Sequence, residues 1–399
     1  MFSKRTSWNL EENAYTRALR RRRDTGQRIL DLTASNPTTC GFQYDEAAIL
    51  EALRDGASLQ YEPEPKGMPA ARAAVARYYE EKNGSGIDPE NLILTTGTSE
   101  AYSFLFRLLC EPGDEVLIAH PSYPLFDFLA TIQDVKLRAF QFVYDHGWQI
   151  DFHSLRQGLS ARTRAIVVVH PNNPTGQFVG AEEAEQLGEI CARHDLALVV
   201  DEVFLDYEMK TATARRKPQG TFVSAAGAAD GAAVTFVLSG LSKIAALPQM
   251  KLGWIAAGGP GAIVREAMAR LEVIADTYLS LNAPLQCALP ALLAQRGAMQ
   301  AQIMARVAAN LATLDEQLAR QKPVSRFEVE GGWYAVLRVP ALQSDEELAV
   351  RLLEESGVLL HPGHFYDFAN DGYLVLSLLT PAGEFREGIK AVLACAAGI

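Results

Sequence analysis

Residues 196–204 read LALVVDEVF. Five apolar residues run without alternation and end on two carboxylates, Asp201 and Glu202. A strand with one wet face would alternate; an unbroken run rich in branched side chains belongs to a strand covered on both sides. Outward from it the same pattern recurs at 92–95, 115–119, 136–142, 164–169, 234–238 and 252–257, with helical or loop segments between most of the runs. Seven such strands with helical connections predict an α/β fold, a seven-stranded mostly parallel sheet between helices.

Residues 10–28, 45–55 and 68–82 read as helices, and 262–322 as an Ala-rich helical bridge. From residue 327 the order is strand (EVEGGWYAVLRV, 328–339), helix (SDEELAVRLLEESG, 344–357), strand (GYLVLSLL, 372–379) and helix, a small α+β unit. The expected division is a large domain over 45–285, a small C-terminal domain over 286–399, and an N-terminal segment, 1–44, packing with the small one.

A chain of 399 residues exceeds one ordinary core, and 48% hydrophobic with 21% charged residues is a folded composition. The formal charge of −11 repels phosphodiester backbones, which argues against nucleic acid as a partner. The five cysteines are scattered, odd in number and without metal-ligand spacing, as expected of free thiols in a reducing cytoplasm. No apolar run approaches the ~18 residues that span a bilayer, and residues 1–30 lack a secretory apolar core. The run Arg20–Arg23 reads as a solvated helix face.

In open α/β sheets, ligands bind beyond the carboxyl ends of the strands, and the unusual residues of this chain cluster there. TTGTSEA (95–101) follows one strand: Gly97 lets backbone approach a ligand, Thr98 or Ser99 can cap the next helix, and the helix end favours a phosphate. HPSYP (120–124) holds Tyr123 between prolines, where its ring could stack on a planar group or simply fill the core. HPNNPTG (170–176) offers the Asn173 amide, with His170 read as structural. Asp201, at the end of an apolar strand, needs a partner for its charge; a protonated pyridine nitrogen is one, and a helix cap is the plain alternative. Glu202 is read as facing solvent or a structural partner. VTFVLSGLSK (234–243) delivers Ser242 and Lys243 from a short turn, and a desolvated lysine can act as an amine nucleophile.

Taken together, these motifs resemble the class I/II aminotransferases of pyridoxal phosphate (PLP) fold type I, over roughly residues 30–395. The resemblance implies that Lys243 carries PLP as a Schiff base and shuttles protons, that Asp201 pairs with the pyridinium, that Asn173 donates to the ring oxygen and that Tyr123 stacks on the ring. It implies phosphate ligands at Gly97, Thr98, Ser99 and Ser242, and a homodimer with shared sites in which Tyr61, in YEPEPKG (61–67), reaches the phosphate of the other subunit.

Three positions depart from the family pattern. Lys251 stands where an arginine usually supplies a second phosphate charge, and Phe204 where a tyrosine bonds the ring oxygen. Val375 stands where an arginine clamps the substrate's α-carboxylate, a charge-assisted pair worth roughly 1.5–3 kcal/mol. Arg338, on the adjacent strand, is the candidate replacement, although an outward orientation is the plainer expectation. His361 and His364, in HPGHFYDF (361–368), and Ser35, in TASNPT, are candidates to contact substrate. The function implied is transfer of an amino group from a small-molecule donor to a keto acid or other carbonyl acceptor. A fold type I lyase or decarboxylase would share every cofactor residue. A PLP-binding regulator would need a DNA-binding segment for which no room exists before residue 30.

Overall fold

The computed structural model describes residues 1–83, 86–209, 219–225 and 232–396; the end of the expected C-terminal domain, 397–399, lies outside them. Fourteen strands are described: β1 (Leu30–Asp31), β2 (Leu92–Thr95), β3 (Glu115–His120), β4 (Lys136–Tyr144), β5 (Trp148–Ile150), β6 (Thr163–Val169), β7 (Ala197–Asp201), β8 (Thr235–Gly240), β9 (Gly253–Gly258), β10 (Ser325–Arg326), β11 (Tyr334–Arg338), β12 (Val358–Leu359), β13 (His361–Pro362) and β14 (Tyr373–Ser377).

The large sheet has eight strands, not seven, in the order β2-β9-β8-β7-β6-β3-β4-β5. The seven expected runs are β2, β3, β4, β6, β7, β8 and β9; the eighth, β5, is a three-residue return that pairs antiparallel with β4. Its short buried–exposed–buried pattern gives no apolar run to read. Strands β8, β7, β6, β3 and β4 are mutually parallel, and β9 runs against both β8 and β2. The two faces of β7 show why the runs do not alternate. Leu198 and Val200 pack under the helices Pro69–Asn83, Ala181–His194 and Ala283–Ala294, while Ala197 and Val199 pack under Thr98–Leu109 and Gly261–Tyr278. Every position of the strand is therefore buried.

The helical bridge is three helices, Gly261–Tyr278, Ala283–Ala294 and Arg296–Leu318. Leu285, Leu289 and Leu292 of the second join the large core; Met299, Ile303, Val307 and Leu314 of the third join another core. That second core surrounds a four-stranded sheet, β10-β11-β14-β13. The N-terminal segment packs there too. Its β1 pairs in parallel with β12, and the Tyr15 hydroxyl donates to the Leu360 carbonyl at 2.9 Å. In the Arg20–Arg23 run, Arg20 pairs with Glu12, Arg21 with Glu354, and Arg22 donates to the Arg28 and Glu354 carbonyls.

Candidate active site

Strands β2, β3, β6, β7 and β8 point the same way, and the segments leaving their carboxyl ends meet one cavity of about 420 Å3. Thr98 and Ser99 enter it after β2, Tyr123 after β3, Asn173 after β6, Asp201 from the end of β7, and Ser242 and Lys243 after β8. The small sheet closes the other side with Tyr334, His361 and Tyr366, and Ser35 joins from the N-terminal segment.

Asp201 is the buried acid of this cavity, 7% exposed. Burial pushes its carboxyl up to about 6, against the Val203 N–H and Tyr102 hydroxyl, each donating at 3.1 Å, and the charge of Lys243. The Val203 bond is the local turn that a plain capping role would make; the Tyr102 bond comes from the helix Thr98–Leu109 across the sheet. Burial lowers the Lys243 ammonium to about 8, opposed by the charge of Asp201. Its Nζ sits 4.7 Å from the Trp333 ring centre and 5.4 Å from that of Phe204. The two groups thus feel each other across one space, and both stand within reach of their neutral–charged transitions near physiological pH.

The turn after β2 differs from the reading in one respect. Gly97, not Thr98 or Ser99, is the N-cap, at φ 149°, and Thr98 is the first residue of the helix. A Cβ on Gly97 would meet only the Lys251 Nζ, at 3.9 Å, so open space lies between them. Opposite, a Cβ on Gly253 would come within 2.9 Å of the Ser239 carbonyl oxygen and 3.0 Å of the Gly97 Cα. Glycine at 253 is what lets β9 approach this turn. The arrangement is a small cradle with a helix N-terminus, two hydroxyls and an ammonium at its rim.

Asn173 is buried, and its Oδ1 has no hydrogen-bond partner among the described residues. His170 is structural. Its Nδ1 accepts from the Val179 N–H at 3.0 Å, which leaves Nε2 to donate to the Gln219 and Gly220 carbonyls. Glu202 has structural partners, the Thr221 hydroxyl and the Phe222 N–H, each at 2.6 Å; burial pushes its carboxyl up to about 8.

Several residues singled out in the sequence lie off the cavity. Arg338 is exposed, its guanidinium stacked 4.6 Å over the Tyr373 ring. It shares a face with Tyr334 but stands four residues further along β11, roughly 13 Å away at the rise of a strand. His364 is exposed beside Phe365. Val375 is buried with Val336 under Tyr366, so the phenol and not the valine forms the wall. Tyr61 is 81% exposed and lines a separate groove with Glu62 and Pro63. Among the polar residues lining the cavity, three escaped the sequence reading: Tyr102, Tyr334 and Tyr366. Only Tyr102 left a signal, standing four residues after Thr98 and hence on the same face of the helix.

Among the described residues no cluster of His, Cys, Asp and Glu could hold a metal ion, and no helix is long and apolar enough to cross a membrane. Residues 27–391 match the family described as aminotransferase class I and II. The glutamate–pyruvate aminotransferase of Haemophilus influenzae is 26% identical over 92% of this chain and 90% of its own length. The aspartate/prephenate aminotransferase of Thermus thermophilus is 29% identical over 95% and 93%. Among solved structures, alanine aminotransferase from Pyrococcus furiosus superposes with a TM-score of 0.89 at 23% identity, covering 100% of both chains.

Proposed function

The chain belongs to the class I and II aminotransferases, and from that premise we propose that it transfers amino groups with PLP bound in this cavity, anchored covalently on Lys243. Membership decides for a transaminase over the lyase or decarboxylase that the same cofactor residues would also serve. The observation that carries the site assignment is the pairing of a buried carboxyl, Asp201, with a desolvated amine, Lys243, on one cavity.

The residues fit the group. Asp201 offers the charge a protonated pyridine nitrogen needs, the side-chain N–H of Asn173, which lines the cavity, can donate to a ring oxygen, and Tyr123 offers a ring to stack on. The open cradle at Gly97, with Thr98, Ser99, Ser242 and Lys251 around it, suits a phosphate. When bound, PLP supplies an electron sink for a carbanion at the substrate's amine-bearing carbon. The protein supplies the rest. Lys243 would move a proton at that carbon, Asp201 would hold the ring nitrogen's proton in place, and Trp333 and Phe204, packed around the Lys243 Nζ, would shield the amine from water.

Phe204 has no hydroxyl to give the ring oxygen, which leaves Asn173 as its donor in this reading. We also propose a homodimer with shared sites. Tyr61, exposed and outside its own cavity, is free to reach a second copy's cradle. Cytoplasmic residence is our reading of five unpaired thiols.

The test is reductive trapping. Protein loaded with PLP and treated with borohydride is expected to gain the cofactor's mass on the peptide containing Lys243, and to lose its visible band when an amine donor is added first. Label on another lysine, or none, removes Lys243 from the role; a band that no amino donor bleaches removes transamination from this cavity.

A further inference from the structure

Transamination needs a substrate held by the end that does not react, and this chain's own described lining of the cavity offers that end no formal positive charge. Among its described lining residues Lys243 is the sole lysine or arginine, and it is committed to the reacting centre. Arg338 is turned to solvent over Tyr373, and Val375 is sealed beneath Tyr366. A carboxylate brought into such a wall would lose its water and gain no cation.

What the small-sheet side does present is a pair. The His361 Nδ1 and the Tyr366 hydroxyl lie 3.1 Å apart, both rings line the cavity, and burial lowers the imidazole's proton affinity. A neutral imidazole joined to a phenol has two proton arrangements. In one, the phenol donates to Nδ1, leaving the phenol oxygen as an acceptor and Nε2–H as a donor. In the other, Nδ1–H donates to the phenol, leaving the phenol hydrogen as a donor and Nε2 as an acceptor. Either way the pair turns one donor and one acceptor outward. A carboxylate, which only accepts, satisfies half of it; a carboxamide or alcohol, which does both, satisfies all of it. Beyond the pair, Leu125, Phe126 and Leu129 give the cavity an apolar wall.

We propose that the cavity selects amine donors whose amine-bearing carbon carries a neutral hydrogen-bonding group, such as a carboxamide or hydroxymethyl, in place of a free carboxylate, and that the Tyr366–His361 pair reads that group. This rests on the cavity being a transaminase site. Tyr366 and His361 are then specificity-determining residues, doing with shared protons what a guanidinium does with charge.

The experiment uses the PLP-loaded protein and three donors of one apolar skeleton: L-leucine, L-leucinamide and L-leucinol. Single-turnover bleaching of the cofactor band is read for each. The amide and alcohol are expected to exceed leucine in rate over affinity by about tenfold or more. Tyr366→Phe is expected to bring the amide-to-acid ratio to within about threefold of unity by slowing the amide, and Val375→Arg to raise the leucine rate. If Val375→Arg does not fold, the Tyr366→Phe ratio alone decides. Leucine equal to or faster than the other two overturns the inference and leaves transamination standing, as does an unchanged ratio in Tyr366→Phe. A protein that takes up PLP and converts none of the three overturns the inference and the proposed function together.

Discussion

Tyr102 holds the ionisation of Asp201 from inside a helix, and its removal separates burial from hydrogen bonding as causes. The hydroxyl stabilises the charged carboxylate, so Tyr102→Phe raises the Asp201 carboxyl above its present value of about 6. In the cofactor-free protein the titration of that carboxyl then moves to higher pH, by roughly one unit for a single such bond; a titration that stays in place would show that Tyr102 does not set it. Asp201→Ala should keep the fold and some cofactor while lowering turnover by about 100-fold or more, read as kcat at saturating PLP. Lys243 is the complementary case. Only its neutral amine is a nucleophile, and burial has lowered it to about 8. Covalent PLP uptake by the apo-protein should therefore accelerate with rising pH and level off above about 8, followed by absorbance after rapid mixing. Uptake independent of pH between 6 and 9 would place the amine's titration elsewhere.

Among the elements, the contact between β9 and the turn after β2 leaves no room for a side chain. Gly253→Ala would drive a Cβ against the Ser239 carbonyl oxygen and the Gly97 Cα, both backbone atoms that cannot swing away. We expect a loss of about 1–3 kcal/mol in stability and weaker PLP retention, seen together in a thermal melt with and without cofactor. An alanine variant as stable and as well loaded as the parent would show that the turn relaxes freely. The seven long strands of the large sheet were legible because double-sided burial leaves unbroken apolar runs, and the residues that follow them were legible because strand ends are where polar groups look out of place. β5, with three residues, and β1, β12 and β13, with two each, leave no such run. Tyr334 and Tyr366 were not legible, since a tyrosine beside valines reads equally as core. Val375 was readable as a missing charge, yet what covers it depends on a loop folding back across the sheet. Arg338 illustrates the limit of periodicity: alternation places it on the face of Tyr334 without saying that the cavity ends before it.

For the whole molecule, the proposed sharing of sites predicts complementation. Lys243→Ala chains have no anchor and Tyr61→Ala chains lack the residue lent to the neighbour. A mixed dimer keeps one complete site, so co-refolding equal amounts at limiting PLP should recover about a quarter of the parent activity. No recovery, with dimers seen by light scattering, would confine each site to one chain. The parallel pairing of β1 with β12 reaches further, into how the protein is made. β1 leaves the ribosome roughly 330 residues before its partner β12, tens of seconds at ordinary rates of synthesis. Through that wait Leu30 and Leu32, both buried in the finished protein, have no apolar shelter of their own. That stretch of the nascent chain is thus a natural client for chaperones, and the seal on the small lobe closes by bringing side by side two segments translated far apart in time.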